Sequence, residues 1–174
     1  MRGVSQSAGR YWVTYSKIDP DGRSAVAIEF KGYQVDTGLG FKLPLGHGGT
    51  LTIDDKTGKT KYTEYGRYSP EGKGIIGAKL SEKDGNFRNV SVPDVKIGKD
   101  GKPTDESLKK VYDSLSKSAG HGSEVKATMH PDADASKVQG AINSLANNPN
   151  REKYSIIDNN CKTVRDDVIK AGEK

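Results

Sequence analysis

Cysteine occurs once in this chain of 174 residues, at Cys161. A lone thiol forms no internal disulfide, so folding does not depend on an oxidising compartment. One cysteine and three scattered histidines (His47, His121 and His130) give no zinc-ligand spacing. "DDKTGK" lacks the spacing of a calcium loop, and no P-loop or dinucleotide fingerprint is present. No cofactor is expected. No apolar run approaches membrane-spanning length, and the opening "MRGVSQSAGRYWVTYS" lacks the apolar stretch of a signal peptide. The expectation is a chain made in the cytoplasm that leaves it, if at all, without a cleavable Sec signal.

Charge of one sign is not scarce, but it is not segregated either. The net charge of +5 favours anionic partners, such as a cell-wall polymer or an acidic protein. Lys and Arg alternate with Asp and Glu, and no basic run is interleaved with aromatics. Nucleic acid is therefore not expected as a partner. Hydrophobic residues make up 32% of the chain, yet several segments are clearly patterned, which points to a loop-rich folded domain.

Residues 11–18 and 25–35 read as strands around the turn "DPDG", predicting an N-terminal β-hairpin over 11–35. A Gly-rich connection follows. Residues 50–54 and 59–68 read as a second hairpin around "DKTG". Short strands are expected at 74–79 and 87–92. Thr104 is a natural N-cap for a helix whose Leu108, Val111, Tyr112 and Leu115 form one apolar face. A strand over 124–130, a helix over 135–147, a strand over "KYSIID" and a helix from about 160 to 171 complete the pattern. The order predicts a single α+β domain over 1–174, a central antiparallel β-sheet packed against about three helices.

Cys161 opens the last helix behind Asn159 and Asn160, either of which is a good N-cap. There the helix dipole and unpaired N–H groups lower a thiol pKa and can help bind an oxyanion. Position alone leaves two readings, a nucleophile or a small buried core residue. A cysteine nucleophile needs a base. His47, in "LPLGHGGTLTID", is the best of the three histidines, because its flanking glycines leave room for a substrate. If the hairpin turn centres near Lys56–Thr57, residue 47 lies opposite about residue 66 and diagonal to Glu64. Glu64 is then a candidate to orient His47. It also reads as an exposed strand carboxylate paired to Lys or Arg. Tyr62, Tyr65 and Tyr68 on the same strand either line a groove or pack the sheet.

The Gly-flanked histidine leading "LPLGHGGTLTIDDKTGKTKYTEYGRY", with "YSIIDNNCKTVRDDVIKAG" far downstream, resembles the permuted papain-like cysteine hydrolases related to NlpC/P60 enzymes. More narrowly it resembles the cysteine-hydrolase effector and toxin domains of bacterial type VI secretion and Rhs systems, over roughly residues 25–172. The resemblance implies Cys161 as nucleophile, His47 as general base and Glu64 as the third polar residue, in a catalytic core over 47–172. It implies thiolate attack on an amide or ester carbonyl. Peptidoglycan peptides are the first substrate class it implies, with a protein or lipid of the recipient cell as the alternative. A cognate immunity protein and a component of the secretion machinery are the implied partners. Relatives often carry an aromatic residue three positions after the cysteine, where this chain has Val164. A non-catalytic secreted binding protein, with Cys161 in its core, is the reading from another class.

Overall fold

The computed structural model describes residues 11–14, 23–37, 39–68 and 85–173. Its strands are β1 (Tyr11–Thr14), β2 (Arg23–Lys31), β3 (Val35–Asp36), β4 (Lys42–Leu43), β5 (His47–Asp54), β6 (Thr60–Gly66), β7 (Asn86–Val90) and β8 (Glu124–His130). Its helices are α1 (Asp105–Ser118), α2 (Ala135–Asn147) and α3 (Cys161–Gly172). Six strands form one sheet in the order β1-β8-β2-β5-β6-β7. All neighbours are antiparallel except β1 and β8. The α+β expectation holds at this level.

β2 lies at the centre and is buried on both faces, so its two rows of alternating side chains define two cores. Val26, Ile28 and Phe30 join Leu51 and Ile53 of β5, Val125 and Met129 of β8, and Val111 and Leu115 of α1. The other row is small. Ala25 and Ala27 lie under Val138 and Ile142 of α2 and Val164, Val168 and Ile169 of α3. Each fully buried aliphatic side chain contributes about 2 kcal/mol through removal from water. The two-sided packing over β2 therefore fixes both helix layers against the sheet.

The helices begin where their caps dictate. Thr104 accepts a hydrogen bond from Ser107 N, and Asp134 accepts from Ser136 N and Lys137 N. Asn160 caps α3 in a reciprocal box with Thr163.

The expected hairpin over 11–35 does not form. β8 lies between β1 and β2, and β1 pairs with it in parallel. Val125, Ala127 and Met129 of β8 stand beside Phe30, Ile28 and Val26. Both edges of β2 are thus taken by strands that extend its apolar row, β5 on one side and β8 on the other. The "DPDG" turn and the strand expected at 74–79 lie outside the described residues. "KYSIID" is not a strand. It carries only an isolated bridge between Ser155 and Asn159. Asn159 Nδ2 donates to the carbonyls of Glu152 and Lys153, and Asn160 Nδ2 donates to that of Ile156. Side-chain amides take the carbonyls a ladder would use, which favours a turn. The Gly-rich connection holds an additional two-stranded ribbon, β3–β4.

Candidate active site

The β5–β6 hairpin sets the site. Gly49 pairs with Glu64 and Thr50 with Thr63, which places His47 level with Gly66 and diagonal to Glu64. His47 Nε2 is 3.1 Å from Glu64 Oε2. Both side chains are buried, that of Glu64 completely. Oε2 also accepts from the Tyr62 hydroxyl at 3.1 Å. Oε1 accepts from Arg88 of β7, through Nε at 2.8 Å and through Nη2. The Tyr68 hydroxyl stands 3.5 Å from Nε2, and the Arg88 guanidinium lies over the Tyr68 ring. Phe30 and Tyr33 flank the imidazole.

Cys161 opens α3 beside this group, where its thiol interacts with His47. The Gly48 backbone N–H also acts on the sulfur. A side chain at Gly48 would collide with Ile28 O at 2.5 Å and crowd Arg165 of α3. One at Gly49 would meet the Tyr62 hydroxyl at 2.5 Å. The two glycines after His47 thus let α3 and the neighbouring strands close on β5. Arg165 Nη1 donates to Ile28 O at 3.1 Å, tying α3 to the backbone of β2.

The electrostatics follow from burial set against partners. Burial alone raises the Cys161 pKa. The hydrogen bond and charge of His47 outweigh it and, with the Gly48 N–H and Lys162, hold the thiol below its usual range. Burial disfavours charge on His47, but Cys161 and Glu64 raise its pKa to about 9. Burial raises Glu64 too, yet His47 and Arg88 keep it below the ordinary carboxylate value. All three shifts favour a buried thiolate–imidazolium–carboxylate series closed by a guanidinium.

The three residues singled out in the sequence therefore come together. Glu64 is not exposed, although it does pair with an arginine as its alternative reading expected. The other histidines lie outside this contact: His121 meets Tyr33 at a tilted ring angle and His130 pairs with Glu173. The three tyrosines divide. Tyr62 reaches Glu64 and Tyr68 approaches His47, while Tyr65 packs against Phe87 and Tyr154. Arg88, the Gly48 N–H and Tyr154 were not singled out. Tyr154 is pushed up to about 12, by burial first and by the Cys161 charge next. Among the described residues, no group of three or more His, Cys, Asp or Glu side chains is placed to hold a metal ion. Among them, no helix is long and apolar enough to cross a membrane.

A family model described as "Type VI secretion system effector TseH-like" matches residues 26–174. The chain belongs to this family of secreted bacterial effectors. Its fold is similar to the crystal structure of the type VI secretion system effector TseH, with a TM-score of 0.68 and 26% identity. That match covers 88% of this chain and 78% of the other. No curated protein sequence matches the chain. Membership in the family implies delivery into a recipient cell.

Proposed function

We propose that this effector is a cysteine hydrolase of the permuted papain-like, NlpC/P60-related kind, cleaving an amide bond in peptidoglycan peptides. The observation that carries the reading is the buried Cys161–His47 pair with Glu64 Oε2 3.1 Å from His47 Nε2. A thiolate beside an imidazolium is the resting state of a cysteine nucleophile. In the proposed reaction Cys161 Sγ attacks the amide carbonyl carbon. Electron density moves to the carbonyl oxygen, and the Cys161 backbone N–H, ahead of the N–H groups that the Asn160 cap takes, is the donor proposed to stabilise it. The C–N bond breaks as His47 gives its proton to the departing amine, leaving a thioester. A water molecule, deprotonated by His47, then hydrolyses the thioester and restores the thiolate. Glu64 keeps the imidazole oriented and offsets its charge.

The test is lysis and muropeptide release by protein directed to the periplasm, comparing wild type with Cys161→Ala. Lysis by wild type alone supports the reading, and equal behaviour of the two rejects it. A neutralising immunity protein is the partner this reading calls for.

One observation favours the same chemistry on a protein or lipid of the recipient cell. The exposed large hydrophobics among the described residues are Leu39, Phe41, Leu43, Leu45, Ile156 and Ile157. The first four lie in the connection leading into His47 and the last two in the turn leading into Cys161. Exposed apolar side chains on the two segments that lead into the site suit an apolar substrate better than a polar glycopeptide. Toxicity from cytosolic expression, absent on periplasmic expression, would favour this version.

A further inference from the structure

Two groups face His47 Nε2, the Glu64 carboxylate and the Tyr68 hydroxyl, and one side chain touches both the carboxylate and the ring that carries the hydroxyl. Arg88 stands directly across the β6–β7 ladder from Glu64. Two of its N–H groups converge on Oε1, which leaves Oε2 for His47 and Tyr62. That division fixes the rotation of the carboxylate. The same guanidinium lies 4.3 Å from the centroid of the Tyr68 ring, where a cation is favoured. A planar guanidinium can do both at once, and an ammonium cannot. The side chain of Arg88 is 28% exposed while that of Glu64 is fully buried. It therefore forms the solvent-side wall of the cluster.

We propose that Arg88 is a positioning residue for the Cys161–His47 pair, holding in place both groups that meet His47 Nε2. The inference rests on the reading of that pair as a reactive one. Its consequence is electrostatic as well as geometric. The charged and titratable groups facing the pair are Glu64 and Tyr62 of β6, Arg88 of β7, Lys162 of α3, and Tyr33, Tyr68 and Tyr154. With Arg88 present, thiolate, imidazolium, carboxylate and guanidinium balance. Without it the buried series carries an excess negative charge, and forming the thiolate becomes harder.

Cys161 is the only cysteine in the chain, so its alkylation by iodoacetamide reads one site. The rate is measured from pH 4 to 9 for wild type, Arg88→Gln and Arg88→Lys, with melting curves for each. Arg88→Gln should move the acid limb up by about one pH unit, making alkylation about tenfold slower below the limb. Arg88→Lys, which keeps the charge and loses the paired N–H groups, should fall between. A wild-type limb well below that of an ordinary thiol, with Arg88→Gln superimposed on it, overturns the role of Arg88 alone. A uniform loss of rate at every pH overturns it as well, since a purely structural residue behaves that way. If Arg88→Gln does not fold, Arg88→Lys decides: a raised limb supports the role and an unchanged one overturns it. A wild-type limb near pH 8.5 overturns the reactive-pair reading and this inference with it.

Discussion

The β5–β6 hairpin has two halves of different character. Toward the turn, Leu51, Ile53 and Tyr62 are almost wholly buried against α1. There the strands are held by apolar burial, and Asp54 closes the turn by accepting from Lys56 N and Thr57 N. Toward the open end, His47 and Glu64 are just as buried but are held by charge. Tyr62 joins the halves, with its ring in the apolar core and its hydroxyl on Glu64. Burial stabilises the first half directly. In the second it costs free energy that only exact placement of partners recovers. A mutation in the first half should therefore cost stability and spare chemistry, and one in the site that the second half anchors should cost chemistry.

The largest separation is expected from Cys161→Ala. If the proposed chemistry holds, activity falls by on the order of 10⁴-fold or more, over about 5 kcal/mol of barrier. The melting temperature should move little, because a small side chain at the helix start is shortened by one atom. A large drop in melting temperature would instead place Cys161 among the structural residues.

Leu51→Ala is the matching change in the apolar half. It should cost about 3 kcal/mol through lost burial and the cavity left behind, read by urea denaturation. The acid limb of Cys161 alkylation should stay where it is in wild type. A displaced limb would show that the two halves are coupled more tightly than their contacts indicate.

The sequence was more informative about the first half than the second. Alternation and the turn residues located the hairpin, and its register placed His47 beside Glu64, because the partner strand is only a few residues away. The bounds of α1 and α2 were legible for a similar reason: caps and a 3.6-residue period are local signals. What was not legible depends on strands far apart in the chain. β1 gave no sign that its partner was β8. Arg88 is unremarkable in "NFRNV" until β7 is known to pair with β6. "KYSIID" looks like a strand because it is apolar, yet Ile157 is 85% exposed. The asparagines that hold its carbonyls were read only as helix caps.

A smaller effect is expected on the titration of His47. Its raised pKa means that the charged imidazole stabilises the fold fully below its unfolded value near 6.5. That contribution is lost as pH rises through about 9. Loss of the same proton removes the acid needed by the leaving amine, so the alkaline limb of activity should also lie near 9. Glu64→Gln keeps the shape and removes the charge. The His47 pKa should then fall by about one unit, or roughly 1.4 kcal/mol, as followed by imidazole NMR. An unchanged value would assign the elevation to Cys161 alone.

The smallest effect separates two explanations of the thiol itself. Asn160 Oδ1 accepts from Lys162 N at 2.9 Å and Thr163 N at 3.3 Å, and Thr163 Oγ1 accepts from Asn160 N. Asn160→Ala removes this cap and should cost about 1 kcal/mol of stability, visible as a modest drop in melting temperature. The sequence suggested the helix N-terminus as the cause of a low thiol pKa. In the structure the forces that lower it are, in order, the hydrogen bond and charge of His47, the Gly48 N–H and Lys162. His47 and Gly48 lie on β5, apart from the cap. The acid limb of alkylation should therefore shift by only a few tenths of a pH unit in Asn160→Ala, well short of the shift in Arg88→Gln. A shift of a full unit would mean that the end of α3, and not the imidazole, sets the state of Cys161. The two halves of the hairpin would then differ only in packing, with the charge balance of the site held by the helix.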